Sequence, residues 1–290
     1  MKKKLLIIGS KGMAGHVIYH YFKALPDFEV VDVSRNNDFF TSTYTIDVSN
    51  TTALQTIFIK EKPFAVINCV GILNKDAEDH PDKSIFFNAY LPHFLAREGK
   101  ENNFKLIHIS TDCVFNGEKG DYTEADAKDG FGFYAQSKAL GEVSYGPHLT
   151  IRTSIVGPEL KDTGIGLYHW FMQQSDPITG YTQAFWGGIT TLELAKAIRA
   201  ALEQELTGLI HLTNGVKISK FALLNLFKSV FKTDDKTISP YEGKVTDKSL
   251  QSIRQDFAYS VPSYERMLAE MSAMMQENKA RYQHNYHLDQ

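Results

Sequence analysis

The residues most diagnostic of the fold are 4–15, which read KLLIIGSKGMAG. Residues 5–8 form a short apolar run of the kind that is buried as a strand in a parallel sheet. Gly9, Gly12 and Gly15 follow at once; they let the backbone turn tightly and let a pyrophosphate approach the N-terminus of the next helix. This stretch predicts the first strand, turn and helix of a dinucleotide-binding domain.

A second apolar strand, residues 29–33, follows the predicted helix and carries Asp32 near its end. An acid about twenty residues beyond such a glycine loop bonds a ribose hydroxyl. Lys11, Ser34 and Arg35 supply donors that suit a 2′-phosphate instead. The combination favours NADPH as cofactor, with NADH as the alternative. The cofactor-binding residues predicted from this region are Gly9, Lys11, Gly12, Met13, Gly15, Asp32, Ser34 and Arg35.

The predicted chemistry rests on a strand with hydroxyl groups at its end and on a tyrosine–lysine pair. Residues 106–112 read LIHISTD, and Tyr134 precedes Lys138 by four positions, so both share one face of a helix. An ammonium beside a phenol lowers the pKa of the phenol, which can then exchange a proton with a carbonyl oxygen near neutral pH. Tyr19 and Lys23 repeat the spacing without such a strand, and we interpret them as a solvated helix face.

Strand-like and helix-like segments alternate along most of the chain. Strands are predicted at residues 5–8, 30–33, 65–70, 105–110, 150–156 and 209–213. Helices are predicted at residues 52–61, 82–102, 133–143 and 192–203. This pattern predicts the α/β class, with a Rossmann-like doubly wound parallel sheet. Ligands bind such sheets at the carboxyl ends of the strands, where Gly9, Asp32, Gly71 and Thr111 all lie.

The C-terminal part has a different character. Residues 157–188 are rich in glycine and aromatic side chains, and amphipathic helices are predicted at 221–231 and 264–282. We therefore predict two domains. Residues 1–156 form the NAD(P)-binding domain, completed by about 189–214, and residues 157–188 and 215–290 form a smaller α/β substrate-binding lobe.

Composition restricts the class of protein. The chain has 290 residues and a net charge of −3, which gives no reason to expect nucleic acid as a partner. No run is long enough to cross a bilayer, and two cysteines suit a reducing compartment. We expect a cytoplasmic protein without a membrane partner and without a metal site.

The chain resembles the extended short-chain dehydrogenases, and among them the dTDP-4-dehydrorhamnose reductases and related nucleotide-sugar reductases. The likeness rests on motifs spread over most of the chain, which are Gly9 to Gly15, Asp47-Val48, Asn68 to Gly71, Asn88-Ala89, Ser110 to Gly117, Tyr122 to Glu124, Tyr134 to Lys138, Gly141-Glu142 and Arg152 to Ser154. The resemblance implies that Thr111, Tyr134 and Lys138 are catalytic, and that Tyr134 and Lys138 also bind the cofactor. It also implies that Asp47 and Val48 flank the adenine and that Cys69, Val70 and Gly71 pass along the cofactor.

Two positions depart from the rhamnose reductases, which usually have tyrosine where this chain has Cys113 and tryptophan where it has Ile155. Both positions face the sugar in the family, so a different hexose is expected, including one with an N-acetyl group. Asp112, Cys113, Ile155 and Trp186 form the predicted substrate-binding set. For Asp112, local capping is the alternative role, and for Trp186, packing between the lobes.

The predicted function is NAD(P)H-dependent reduction of the 4-keto group of a dTDP- or UDP-linked 4-keto-6-deoxy sugar. Such a product supplies a deoxysugar for cell-surface polysaccharide. Two alternatives stay open: a non-catalytic NADP-binding regulatory subunit and a nucleotide-sugar epimerase. The resemblance also leaves a homodimer open.

Overall fold

The structure, a computed structural model, describes residues 2–175, 177–233 and 235–286. Its centre is a parallel sheet of seven strands in the order β11-β6-β5-β4-β1-β2-β3. The strands of this sheet are β1 (Lys3–Ile8), β2 (Phe28–Ser34), β3 (Tyr44–Thr45), β4 (Ala65–Asn68), β5 (Lys105–Thr111), β6 (Leu149–Thr153) and β11 (Gly208–His211). The predicted α/β class and parallel sheet are confirmed.

Helices cover both faces of this sheet. They are α1 (Met13–Lys23), α2 (Thr51–Glu61), α3 (Asn74–Asp79), α4 (Pro81–Ser84), a π-helical segment (Ile85–Tyr90), α5 (Leu91–Asn102), a 3₁₀ turn (Asp112–Val114), α6 (Gly132–Leu140), α7 (Leu167–Gln173), α8 (Thr191–Glu203), α9 (Lys220–Val230), α10 (Tyr264–Glu277) and α11 (Lys279–Tyr282). Alternate residues of β1 serve the two faces: Leu5 and Ile7 belong to one apolar cluster, Leu6 and Ile8 to the other. Burial on both faces explains why the strand is an unbroken apolar run.

The C-terminal segments form three small sheets, with strand orders β10-β7, β12-β9-β14 and β13-β8. Their strands are β7 (Ile155–Val156), β8 (Ile178–Tyr181), β9 (Ala184–Trp186), β10 (Ile189–Thr190), β12 (Ile218–Ser219), β13 (Ile238–Tyr241) and β14 (Thr246–Asp247). One apolar cluster joins Ile7 of β1 to Phe171 of α7, Phe227 of α9 and Met271 of α10. The predicted substrate-binding segments therefore pack on the sheet domain through a shared core.

Two predicted elements are interrupted. The strand predicted at 150–156 breaks at Ser154, whose carbonyl oxygen accepts a hydrogen bond from Ile189 N at 2.9 Å, so β7 leaves the large sheet and pairs with β10. The helix predicted at 264–282 breaks at Asn278, whose side-chain amide donates to Met274 O at 2.9 Å. The bond to Ser154 comes from a distant part of the chain, which the local pattern does not encode, whereas the Asn278 side chain bonds four residues back along its own helix.

Within the described part of the chain, no helix combines the length and the apolar character that a membrane span requires.

Candidate active site

The turn after β1 is shaped for a phosphate group. Gly9 has φ +84°, and a Cβ at this position would lie 3.0 Å from Val70 Cγ2. A Cβ on Gly15 would lie 2.0 Å from the carbonyl oxygen of Gly9, so α1 can pack on the turn only with glycine there. Gly12, which precedes α1, has no side chain that could cap the helix, so the N–H groups of the first turn can serve phosphate oxygens. The turn therefore fits the pyrophosphate of a dinucleotide.

An open cleft of about 230 Å³ begins at this turn. The predicted cofactor residues that line it are Gly9, Lys11, Gly12, Ser34, Arg35, Asp47, Val48, Cys69, Val70 and Gly71. The lining residues that the sequence did not predict are Val33, Asn36, Ile46, Ile72, Phe87 and Lys161. Met13, Gly15 and Asp32 are not part of the lining: a Cβ on Gly166 would lie 2.9 Å from Met13 Sδ, which places that side chain beside the loop before α7.

Asp32 braces the glycine turn. Its fully buried carboxylate accepts hydrogen bonds from Ser10 Oγ at 2.6 Å, from Thr43 N at 2.8 Å and from Thr43 Oγ1 at 3.0 Å. The Asp32 carboxylate is therefore already hydrogen-bonded to groups of the protein. The sequence placed Asp32 correctly on the strand but could not show that its partners come from the protein itself.

The cleft carries more positive than negative charge. Lys11, Arg35 and Lys161 line it, against the single carboxylate of Asp47. The backbone N–H and hydroxyl of Ser49 donate to Asp47 at 2.9 and 2.7 Å and lower the pKa of that carboxyl group. The predominance of cations suits a phosphate-bearing ligand.

Thr111 and Tyr134 meet at the end of β5. The Thr111 hydroxyl accepts a hydrogen bond from Cys113 N and donates one to Asp112 Oδ1, both at 3.1 Å, and the Tyr134 phenol lies close enough for this hydroxyl to act on its pKa. Glu78 fixes the start of α6 because its carboxylate accepts from the backbone N–H groups of Phe133 and Tyr134, at 3.0 and 3.1 Å. Burial raises the pKa of Tyr134, whereas the sequence predicted a lowered value. The difference arises because burial disfavours the charged phenolate more than the nearby Thr111 hydroxyl favours it.

The Lys138 side chain reaches back to β5. Its Nζ donates to Ile109 O at 2.7 Å and lies 3.4 Å from His108 Nε2. Burial lowers the pKa of Lys138 to about 8 and holds the pKa of His108 well below its usual value. On its far side, His108 Nδ1 lies 3.2 Å from the Asn68 amide nitrogen, while Val70 N donates to Asn68 Oδ1 at 3.1 Å. A hydrogen-bonded row thus links Lys138 to the cofactor-facing end of β4.

The π-helical segment ties the cleft to α6. Asn88 Nδ2 donates to Ile72 O, and Ile72 N donates to Asn88 Oδ1, both at 2.9 Å. The same amide nitrogen lies 3.1 Å from Ser137 Oγ, next to Lys138 in sequence. A Cβ on Gly141 would lie 1.8 Å from Asn88 O, so glycine is required where α6 ends. The helix α6 ends at Leu140, three residues before the predicted residue 143.

A buried ion pair supports the same strand end. Arg152 Nε and Nη2 donate to the two carboxylate oxygens of Glu142, at 2.8 and 2.7 Å, and Ser110 Oγ donates to Glu142 Oε1 at 2.7 Å. Burial raises the pKa of Glu142, but the bonds from Arg152 outweigh it and the net pKa is lowered. The Arg152–Glu142 pair thus connects β6 to Ser110, the residue that precedes Thr111.

The predicted substrate-binding residues lie around this cluster. Asp112 and Cys113 follow Thr111 in the 3₁₀ turn; burial raises the pKa of both, that of Cys113 to about 11. Trp186 Nε1 donates at 2.8 Å to the hydroxyl oxygen of Ser154, the residue that precedes Ile155 in sequence. Both cysteines are free, and no group of three or more potential metal ligands occurs among the described residues.

Sequence reasoning assigned no role to several residues of this region. Asn68, Asn88 and Ser137 fall within motifs quoted for the family resemblance, which was the available signal. His108 belongs to the diagnostic strand, but its neighbour Lys138 is thirty residues away. Lys161 comes from a loop with no motif at all. Contacts at such separations are set by the tertiary fold.

The structure combines a parallel sheet, a glycine turn after the first strand, and a threonine, a tyrosine and a lysine gathered beyond the fifth strand. This combination defines the class of short-chain dehydrogenases/reductases. Residues 3–284 match the family described as RmlD substrate binding domain, and the chain belongs to that family. The predicted resemblance to the dTDP-4-dehydrorhamnose reductases is thereby confirmed at the level of the family.

Three similar proteins illustrate the range of this family and fold. The chain is 28% identical over 228 residues to dTDP-4-dehydrorhamnose reductase of Shigella flexneri, covering 73% of this chain and 72% of that protein. It is 27% identical over 154 residues to methionine adenosyltransferase 2 subunit beta of Bos taurus, covering 48% and 42%. The match therefore spans less than half of the bovine protein's length. The crystal structure of dTDP-4-dehydrorhamnose reductase from Bacillus anthracis in complex with NADP shares the fold, with a TM-score of 0.79 at 20% identity over 94% and 99% of the chains.

Proposed function

We propose that this protein is an NADPH-dependent reductase of the 4-keto group of a nucleotide-linked 4-keto-6-deoxy sugar, with NADH as an alternative cofactor. The observation that carries the proposal is that the Tyr134 phenol lies beside the Thr111 hydroxyl at the end of β5, on the sheet edge where the glycine turn lies. Two hydroxyl groups at one point can hold a single carbonyl oxygen. The Shigella relative, a dTDP-4-dehydrorhamnose reductase, supports the substrate class.

The cleft residues suit NADPH. The N–H groups at the start of α1 would hold the pyrophosphate, and Arg35 with Lys11 would hold the 2′-phosphate at the end of β2. The Asp32 carboxylate bonds Ser10 and Thr43 and does not line the cleft. The structure of the Bacillus anthracis relative contains NADP.

In the proposed reaction, bound NADPH supplies a hydride to C4 of the sugar. The Tyr134 phenol gives its proton to the C4 oxygen, and Thr111 Oγ1 hydrogen-bonds the same oxygen. Together, one hydride and one proton convert the carbonyl to an alcohol. The buried ammonium of Lys138 would hold the nicotinamide ribose. Cys113 and Ile155 make the sugar side of the pocket less aromatic, which supports a hexose other than rhamnose, including a 2-acetamido sugar.

The experiment compares the wild type with Tyr134→Phe, using Tyr145→Phe as the matched control. Tyr145 is 53% exposed and hydrogen-bonded to His93, away from the cluster. NADPH is mixed with dTDP- and UDP-linked 4-keto-6-deoxy sugars, with and without a 2-acetamido group, and absorbance is followed at about 340 nm. Loss of the general acid should reduce turnover by about 10²–10⁴-fold while NADPH binding is retained. Turnover by Tyr134→Phe at the wild-type rate would contradict the mechanism.

A second candidate function is that of a regulatory subunit which binds NADP without turning it over. It is favoured by the match to the bovine subunit beta, and the same experiment separates the two. A regulatory subunit would bind NADPH, oxidise none with any of these sugars, and be unaffected by Tyr134→Phe. An epimerase, which is the remaining alternative, would be purified with NAD already bound.

A further inference from the structure

Two lysines beside the predicted substrate residues are not held in an ion pair by any residue that the structure describes. Neither Lys220, the first residue of α9, nor Lys248 forms a side-chain hydrogen bond or an ion pair with any residue that the structure describes. Both side chains are partly buried. By contrast, Lys217 lies three residues before Lys220 and is paired with Asp121 and Asp247, at 3.2 and 2.7 Å. Lys217 is thus neutralised by direct ion pairs, whereas neither Lys220 nor Lys248 has a carboxylate within ion-pair distance among the described residues.

Lys220 is directed toward the predicted sugar side of the site. Its Nζ lies 5.4 Å from the centre of the Trp186 ring, and Trp186 is itself anchored to Ser154. Asp112 and Cys113 lie close enough to act on its charge. Burial lowers the pKa of Lys220 to about 8, so the side chain is mostly charged at neutral pH.

Lys248 approaches from another chain segment. A Cβ on Gly117 would lie 2.9 Å from Lys248 Cγ, so the lysine stem crosses the loop that follows the 3₁₀ turn. The segment is held there by Asp247 N, which donates to Gly117 O at 2.7 Å, and by Ser249 O, which accepts from Tyr122 N at 2.9 Å. The charges of Lys248 and Lys220 both act on Asp112.

We propose that Lys220 and Lys248 form an anion-binding subsite that holds anionic oxygens of the substrate. The inference rests on the proposed function, which places the substrate beside Asp112 and Trp186. A partly buried ammonium loses hydration, and an anion restores its hydrogen bonds. Two substrate groups have this chemistry: the diphosphate of a nucleotide sugar, and a carboxylate carried on the sugar ring.

The test measures binding by titration calorimetry to the full chain saturated with NADPH. The probes are dTDP, UDP and UDP-glucuronate, and the variants are Lys220→Gln, Lys248→Gln and Lys228→Gln. Lys228 is the matched control because it lies on the same helix, α9, in its last turn. Loss of one charge-assisted hydrogen bond should weaken binding by about ten- to a hundredfold for Lys220→Gln and Lys248→Gln. Lys228→Gln and the NADPH affinity should not change.

The pattern of losses identifies the anion. Weaker binding of dTDP or UDP places the diphosphate at the subsite, and a loss confined to UDP-glucuronate places a ring carboxylate there. Wild-type affinity of both variants for all three probes, or no binding of any probe to the wild type, would overturn the proposal. These probes are bound and not reduced, so a protein without reductase activity could still show the subsite. A failure of the subsite proposal is therefore distinguishable from a failure of the proposed reductase function.

Discussion

Replacing Glu142 by glutamine should strongly destabilise the protein, because the substitution leaves a buried guanidinium without its counter-charge. The side chains of Arg152 and Glu142 are only 3% and 2% exposed, and two short hydrogen bonds join them. The other neighbours of Arg152 do not neutralise it: Nη1 lies 2.7 Å from His211 Nε2, and the guanidinium lies over the Phe115 ring at 4.9 Å. Burial lowers the pKa of His211, which therefore stays uncharged.

Removing one partner of such a buried pair costs about 3–5 kcal/mol. The matched control is Glu203→Gln on α8, where Glu203 is 52% exposed and accepts from Arg199 Nε at 2.8 Å. An exposed pair four residues apart on a helix contributes only about 0.3–0.5 kcal/mol. The same chemical change should therefore differ by roughly tenfold in its effect on the free energy of unfolding.

The assay is equilibrium unfolding in urea, monitored by circular dichroism, with the midpoint and slope fitted for each variant. With a slope of about 2–3 kcal/mol/M, Glu142→Gln should lower the midpoint by about 1–2 M. Arg152→Met and the double variant complete a thermodynamic cycle, and the double variant should lose less than the sum of the single losses. Equal effects of Glu142→Gln and Glu203→Gln, or additive single losses, would refute the reasoning.

Three further predictions follow from the same cluster of elements. Gly15→Ala should lower the free energy of unfolding by about 1–3 kcal/mol, because the added Cβ would lie 2.0 Å from Gly9 O. In Gly12→Ala the added Cβ would lie 3.5 Å from the same oxygen, so this variant should be tolerated. Urea unfolding of the two variants checks this difference. Asp32→Asn should cost about 1–3 kcal/mol because an amide group would face the donors that now bond the carboxylate, and an unchanged unfolding midpoint would argue against the bracing role. The kcat/KM of the reductase should fall as the pH rises through about 8, because the lowered pKa of Lys138 means that its ammonium is lost there; a profile flat to pH 10 would contradict this.

The sequence predicted the parts of the site that are built from short stretches. The glycine turn, the strand ending in Thr111, and the Tyr134–Lys138 pair each lie within a few residues, so hydrophobic periodicity and turn chemistry were enough to recognise them. The predicted direction of the Tyr134 pKa was wrong because burial, which a local pattern does not show, raises the pKa of the phenol. The ribose contact predicted for Asp32 stays a prediction, and the structure adds that Thr43 bonds the same carboxylate.

The sequence by itself determined the class of sheet, the order of its main elements and the chemistry gathered at the strand ends, since an apolar run, a glycine turn and a helical spacing are local properties of the chain. Only the tertiary structure decided the environments: the row from Lys138 to Asn68, the pair of Glu142 with Arg152, and the positions of Lys220 and Lys248. The physical reason is that burial and partnership set the charge of these groups. Both are fixed by strands and helices that meet across long separations in the chain.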